Sequence, residues 1–223
     1  MNLAPWLPVM ILATSAIPGL VIFWLREPQS QLRSTLNLGA AVTKLALLAW
    51  IMLQFDRSAD YETRFTVVDG LDFVLRIDAM TMLFAALSAL LWLFTTIYAI
   101  GYLEDSPGRS RFFGFFSICV TATMGIALAG NLFTFVIFYE LLTLSTYPLL
   151  VHRGTAAALR AGRIYLAYTL TGGIALLLGI VWLHALAGDL DFRSGGQLWR
   201  MADLPETQLM IIFALLIGGL GVK

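Results

Sequence analysis

An all-α polytopic membrane protein is the fold class this sequence predicts, and three observations predict it. Hydrophobic residues make up 59% of the 223-residue chain, charged residues only 13%, and the mean hydropathy is +0.83. A soluble domain of this size carries about a quarter charged residues, so too little polar surface is left to coat a water-soluble globule. The apolar residues also fall in continuous runs rather than alternating ones, which selects helices over a β-barrel as the spanning form.

Crossing a hydrocarbon core of about 30 Å takes about 20 helical residues. Seven runs meet or approach that length: Leu7–Leu25, Leu36–Phe55, Ala79–Leu103, Phe112–Leu128, Asn131–Val151, Ile164–Ala187 and Leu209 to Lys223. The first begins at "MNLAPWLPVM", which lacks the basic start of a cleavable signal, so it reads as a retained helix. Residues 56–78 separate the second and third runs, and "RFTVVDGLDFVLRID" places two β-rich segments around Asp69-Gly70. That dipeptide favours a tight hairpin turn, so a small external β-hairpin is expected there. Asp78 stands at the start of the third helix, where free N–H groups favour an acid. The last run, from Leu209 to Lys223, is short for a span and ends on a lysine. The expectation is that residues 1–223 form a single transmembrane domain, the N-terminal part of a longer polypeptide.

Basic residues in short loops set orientation. Arg26, Arg33, Arg109, Arg111, Arg153, Arg160 and Arg163 collect on one side. Arg57, Arg64, Arg76, Arg193 and Arg200 collect on the other. Seven against five places the N-terminus outside. The zero formal net charge gives no reason to expect nucleic acid as a partner. Cys119, the one cysteine, cannot form an intrachain disulfide, and no cofactor or metal-ligand cluster is visible; it reads as a small core residue.

The chemistry lies in ionisable groups within the apolar runs. Glu140 sits near the midpoint of "NLFTFVIFYELLTLSTYPLLV", where a charged carboxylate costs roughly 2.5–3.5 kcal/mol. Such a residue is functional by default; the alternative is a protonated glutamate that only donates a helix–helix hydrogen bond. Thr143 and Tyr147 follow on the same helical face, and Pro148 frees the carbonyl of Leu144, giving a polar stripe suited to water. Lys223 follows glycines 218, 219 and 221 and is either a second proton carrier or a marker of the membrane edge. Lys44 lies inside "GAAVTKLALLAW"; its long side chain either snorkels to a surface or serves a proton path. Arg160 and Arg163 share a face at the inner end of the sixth helix, feeding a water path or satisfying the orientation rule. His152 and His184 are either proton relays or solvated loop and helix-end residues.

"RIDAMTMLF", "MGIALAGNLFTFVIFYELLTLSTYPLL" and a lysine after "GGLG" together resemble the proton-translocating antiporter-like subunits. These are the A-type and D-type subunits of Mrp-type multisubunit Na⁺/H⁺ antiporters, and the related membrane-arm subunits of complex I and of membrane-bound hydrogenases. The resemblance runs from about residue 70 to 223 and is nearest the D-type subunit through "YELLTLSTYPLL". It implies a fold of about fourteen helices with two inverted five-helix repeats, of which helices 1–7 are present here. It also implies that Glu140 on helix 5 and Lys223 on a broken helix 7 carry protons. Arg163 in "AGRIYL" falls where many members have lysine; the arginine–aspartate pair that some members carry further along helix 6 has no counterpart in "YTLTGG". The implied partners are other membrane subunits, the lipid bilayer and protons, with Na⁺ as a candidate second ion. The implied location is a bacterial inner membrane. Three functions follow as expectations: a proton-translocating antiporter subunit, a redox-driven complex I-like or hydrogenase arm subunit without its own redox centre, or a non-transporting structural subunit.

Overall fold

Four helices close a ring and three more extend from it in a row. The structure, a computed structural model, describes residues 4–54, 61–68, 70–104, 106–188, 190–192 and 205–222. Within these, the helices are α1 (Leu7–Phe23), α2 (Ser30–Gln54), α3 (Ala79–Tyr102), α4 (Arg109–Leu128), α5 (Leu132–Leu150), α6 (Ala156–Ala187) and α7 (Glu206–Gly221). A 3₁₀ turn, Ala4–Trp6, leads into α1, where prolines suit the first helical turn. α1 packs on α2 and α4, and α3 packs on α2 and α4, which closes the ring. α5 then lies on α4, α6 on α5, and α7 on α6.

Six of the described helices are long and apolar enough to cross a membrane, and the shorter α7 accompanies α6. The apolar cores of these helices fall where the sequence places them. Four begin earlier than their apolar runs. α2 starts at Ser30 rather than Leu36, α4 at Arg109 rather than Phe112, α6 at Ala156 rather than Ile164, and α7 at Glu206 rather than Leu209. α2 and α4 open on polar turns and α7 on Glu206, while α6 opens on three alanines and Leu159 ahead of Arg160; a helix does not stop where the hydrocarbon does. Arg33 therefore belongs to α2 rather than to a loop, and it is buried.

The hairpin forms as expected, from β1 (Glu62–Val68) and β2 (Leu71–Arg76) in antiparallel register, with Thr63 opposite Leu75 and Phe65 opposite Phe73. Val68 pairs with Leu71, leaving a two-residue connection in which Gly70 has φ +82°, a conformation that glycine adopts without a Cβ penalty. Asp69 lies outside the described residues, as do Arg57, Arg193, Arg200 and Lys223.

The hairpin gathers one end of the bundle, the hairpin end. Gly130 N donates to Val74 O (2.8 Å), Val74 N donates to Thr134 Oγ1 (2.7 Å), and Thr63 Oγ1 donates to Pro5 O. Arg64 binds Asp72 (2.7 Å), Asp191 (2.6 Å) and Glu62 (2.9 Å). The hydrogen bonds from Asp191 and then Asp72 raise the guanidinium pKa, and the same Arg64 contact holds Asp72 below the usual carboxylate range.

The opposite, arginine end is tied differently. Glu27 accepts from the backbone N–H of Arg109 (3.1 Å) and of Ser110 (3.2 Å), so a carboxylate from the α1–α2 loop caps α4 and meets its dipole. Arg111 reaches His152 O (3.4 Å), and Arg153 reaches the Tyr102 hydroxyl (3.2 Å). Asp78 caps α3 as expected, accepting from Thr81 N at 2.8 Å.

Candidate functional site at mid-depth of the membrane span

Glu140 owes its depth to the cap of its own helix. Asn131 Oδ1 accepts from Thr134 N (2.8 Å) and Asn131 Nδ2 donates to Asp72 O (2.7 Å), which pins the start of α5 to the hairpin. Glu140 is nine residues further on, about 14 Å along the axis, close to half of a 30 Å core.

The carboxylate faces α6, not lipid. A Cβ added at Gly173 would overlap Glu140 Oε1, and that oxygen is inaccessible to solvent. The neighbouring glycine serves the next helix. A Cβ at Gly172 would meet Val222 Cβ at 2.8 Å and Gly219 O at 3.1 Å, and one at Gly219 would meet Gly172 O at 2.8 Å. The Gly172-Gly173 pair thus lets α7 approach on one side and leaves a groove for the carboxyl on the other. Tyr139 adds long contacts from its hydroxyl to Gly219 O (3.5 Å) and Leu220 O (3.4 Å), bringing α5 to the end of α7. Lys223 lies outside the described residues; its neighbour Val222 packs on Gly172.

The rest of the expected stripe is only partly assembled. Thr143 is buried and donates to Tyr139 O (3.1 Å), within its own helix. Tyr147 packs against α6 at Gly162, where a Cβ would stand 2.9 Å from its ring. Glu140 and Tyr147 therefore both face α6, and Thr143 lies on the same helical face between them. Arg163 does not join them. It is exposed on α6, ten residues and about 15 Å of helix from Gly173. Arg160 is exposed beside it.

Two expectations need correction. Lys44 does not snorkel: it is 0% exposed, donates to Ser15 Oγ at 2.6 Å, and lies 5.0 Å from the centroid of Trp92. The ring closes around it, with small residues on neighbouring helices leaving room for the whole side chain. His152 is not a solvated loop residue: it is half-buried, edge-on to Phe112 at 5.3 Å. Burial first, then the Arg111 charge, lowers its pKa, against a smaller raising effect of Glu27. His184 is also half-buried at the end of α6. Cys119 donates to Ser145 Oγ (3.3 Å), a contact between α4 and α5 that fits a core role.

Sequence reasoning missed Gly173 and Arg33. The signal for the first was an adjacent glycine pair inside an apolar helix, which marks close backbone approach. The signal for the second was the spacing Arg33, Asn37, Lys44 on one helical face.

These elements define a polytopic membrane protein with a mid-depth carboxyl held between helices. Two family profiles match the chain: residues 129–223 match "NADH:quinone oxidoreductase/Mrp antiporter, TM", and residues 67–113 match "NADH-Ubiquinone oxidoreductase (complex I), chain 5 N-terminus". The chain belongs to the antiporter-type membrane subunits of the Mrp and complex I family. It is similar to the A/B subunit of a probable K(+)/H(+) antiporter of Rhizobium meliloti (strain 1021), 30% identical over 68% of this chain and 15% of that protein. It is also similar to NAD(P)H-quinone oxidoreductase chain 5 of Picosynechococcus sp., 28% identical over 95% of this chain and 34% of that one. Its fold matches a chain in the structure of an archaeal membrane-bound sulfane sulfur reductase, with TM-score 0.77 and 21% identity, over 95% of this chain and 33% of that one. The chain thus spans about a third or less of the length of these relatives.

Proposed function

We propose that this chain is part of a proton-translocating subunit of a multisubunit cation/proton antiporter, in which Glu140 exchanges a proton with a basic partner at the end of α7. The observation that carries this reading is the seat of the carboxyl: mid-depth, turned to α6 over Gly173, next to Tyr139, whose hydroxyl reaches the end of α7. Burial favours the neutral acid and a nearby cation favours the carboxylate, so moving one cation switches which form wins. Lys223 is the cation assigned to that role. When it stands close, Glu140 holds its charge and Lys223 stays an ammonium. When the two separate, Lys223 loses its counter-ion and releases its proton to water in the channel. Arg163 serves as an entry residue at the arginine end rather than as a direct partner of Glu140.

The antiporter name borne by the Rhizobium relative supports cation/proton exchange. A second reading, a redox-driven arm subunit, is supported by the match to NAD(P)H-quinone oxidoreductase chain 5 over 95% of this chain. Both readings use the same carboxyl and differ in what drives it. The sidedness of the arginines supports an N-terminus on the outside, because Arg26, Arg33, Arg109, Arg111 and Arg153 sit at one end of the bundle, and the bacterial source of the Rhizobium relative supports an inner-membrane location.

The test is Glu140→Gln in the full-length subunit within its complex, with proton flux measured in membrane vesicles. Loss of flux with normal assembly is expected. Full flux would leave the chain as a structural subunit with Glu140 as a fixed hydrogen-bonding group.

A further inference from the structure

The α1–α4 ring holds a second buried ionisable group that the Glu140 pathway does not use. One buried face of α2 reads Arg33, Asn37, Ala41, Lys44, Leu48 and Ile51. Up to Lys44 it carries three polar residues, Arg33, Asn37 and Lys44, interleaved with Ala40 and Ala41; beyond Lys44 it is apolar. Arg33 Nη1 donates to Ser110 Oγ at 2.9 Å. One turn on, Ser117 Oγ donates to Asn37 Oδ1 at 3.0 Å. Further in, Thr121 Oγ1 lies 2.8 Å from Ser15 Oγ, and Lys44 Nζ donates to that same oxygen at 2.6 Å. Arg33 is 1% exposed; Asn37, Lys44, Ser15 and Ser117 are 0% exposed.

Among the described residues, the groups facing Lys44 include no counter-ion. α1 and α3 contain no acid, histidine, lysine or arginine. α4 contributes only Arg109 and Arg111 in its first turn, and Cys119, which turns to Ser145 on α5. A mid-membrane amine without a carboxylate is costly. Asn37 Nδ2, Trp92 Nε1 and Thr96 Oγ1 are buried in the same ring without a protein hydrogen-bond partner, as is Arg33 Nε nearer the end. Four such polar atoms in line with a lysine are the pattern that ordered water satisfies.

The two ends of this file differ. At the arginine end it meets a cavity of about 430 Å³ lined by Ser30, Arg33, Ser34, Glu104 and Arg109 among others. Beyond Lys44, Leu48 and Ile51 join Ile11, Leu75, Met82 and Met124 in one buried apolar cluster. The polar row thus ends beside a cavity, through Arg33, on one side and against an apolar cluster on the other.

We propose that Lys44 is a second protonatable site, reached by protons through a hydrated polar file inside the α1–α4 ring that opens only at the arginine end. In the step itself, the Nζ–H bond of the ammonium breaks, its proton passes to a water in the file, and the amine keeps the electron pair. Reloading reverses this. The site stands independently of Glu140; its use in transport rests on the proton-translocating reading.

Two measurements on the full-length protein in its complex test it. In a Cys119→Ser background, Asn37→Cys and Ile51→Cys are exposed singly to a small water-soluble methanethiosulfonate. Modification of Asn37→Cys at least tenfold faster than Ile51→Cys, from the arginine-end side, is expected. Equal slow reaction at both positions would show a dry interior and overturn the proposal. Second, Lys44→Arg keeps the charge but does not release a proton. It is expected to lower proton flux at least tenfold and to remove a limb of its pH profile. Full flux and an unchanged profile for Lys44→Arg, with Glu140→Gln inactive, would remove Lys44 from transport and leave Glu140 in place. Full flux for Glu140→Gln would overturn the proposed function alone, and the thiol reaction would still decide whether the file exists.

Discussion

The α1–α4 ring and the α5–α7 row each hold an ionisable side chain at mid-depth, and they house it in opposite ways. Lys44 is enclosed on all sides by one ring, with a hydroxyl, an aromatic face and other buried polar groups around it. Glu140 sits at the seam between successive helices of a row, in space made by a missing side chain at Gly173. The ring answers the charge with packing and hydrogen bonds from within. The row answers it with a groove on α6 at Gly173, while the adjacent Gly172 holds α7 to α6. A closed ring suits storage of a proton; an open row suits exchange with a movable partner.

The largest effect that sharpens this contrast comes from filling the groove. Gly173→Ala places a methyl group where the carboxyl stands, whereas Gly218→Ala adds one in open space. Proton flux in the assembled complex is expected to fall more than tenfold for the first and to change less than twofold for the second. Equal flux in the two variants would break the comparison.

Next is the plug of the ring. Leu48→Ala removes a fully buried side chain from the apolar cluster. It is expected to cost about 2–5 kcal/mol of stability. Thermal unfolding in detergent checks the loss, and flooding of the plug predicts faster thiol modification of Ile51→Cys in the same variant.

A smaller effect concerns the anchor that sets the depth of Glu140. Asn131→Ala removes the α5 cap and its bond to Asp72 O. Loss of the cap costs about 1 kcal/mol, and a slightly lower unfolding temperature is expected.

The smallest is a pH effect at His152, outside the spans. Its folded pKa lies below the usual 6.5, so the unfolded chain binds a proton more readily. The associated stability is present above pH 6.5 and declines as pH falls through the interval below it, to the folded value. His152→Gln is expected to remove that part of the decline in thermal unfolding measured between about pH 7 and 5.

Much of the architecture was legible because hydrocarbon imposes a length and demands apolar side chains. The Asp78 and Asn131 starts, the hairpin and the shared helical face of Glu140, Thr143 and Tyr147 follow from local rules; that Glu140 faces α6 is shown only by the packing at Gly173. The early starts of α2, α4, α6 and α7 were not legible from apolar runs, since helices continue beyond the hydrocarbon by their own hydrogen bonds. Lys44 misled for a related reason. A long amine at that depth reaches a surface in an isolated helix, but Ser15 and Trp92 come from helices far along the chain, and only packing reveals them. Gly173 was overlooked as a site residue because its contribution is the absence of a side chain, signalled only by the adjacent glycine pair Gly172-Gly173.

The central claim is that Glu140 gains and loses a proton as the protein works. Infrared difference spectroscopy of the assembled complex, recorded as a proton gradient is imposed and collapsed, tests it directly. A carboxylic acid C=O band that changes with the gradient and is missing in Glu140→Gln is the predicted result. Identical difference spectra for the native complex and Glu140→Gln would contradict it.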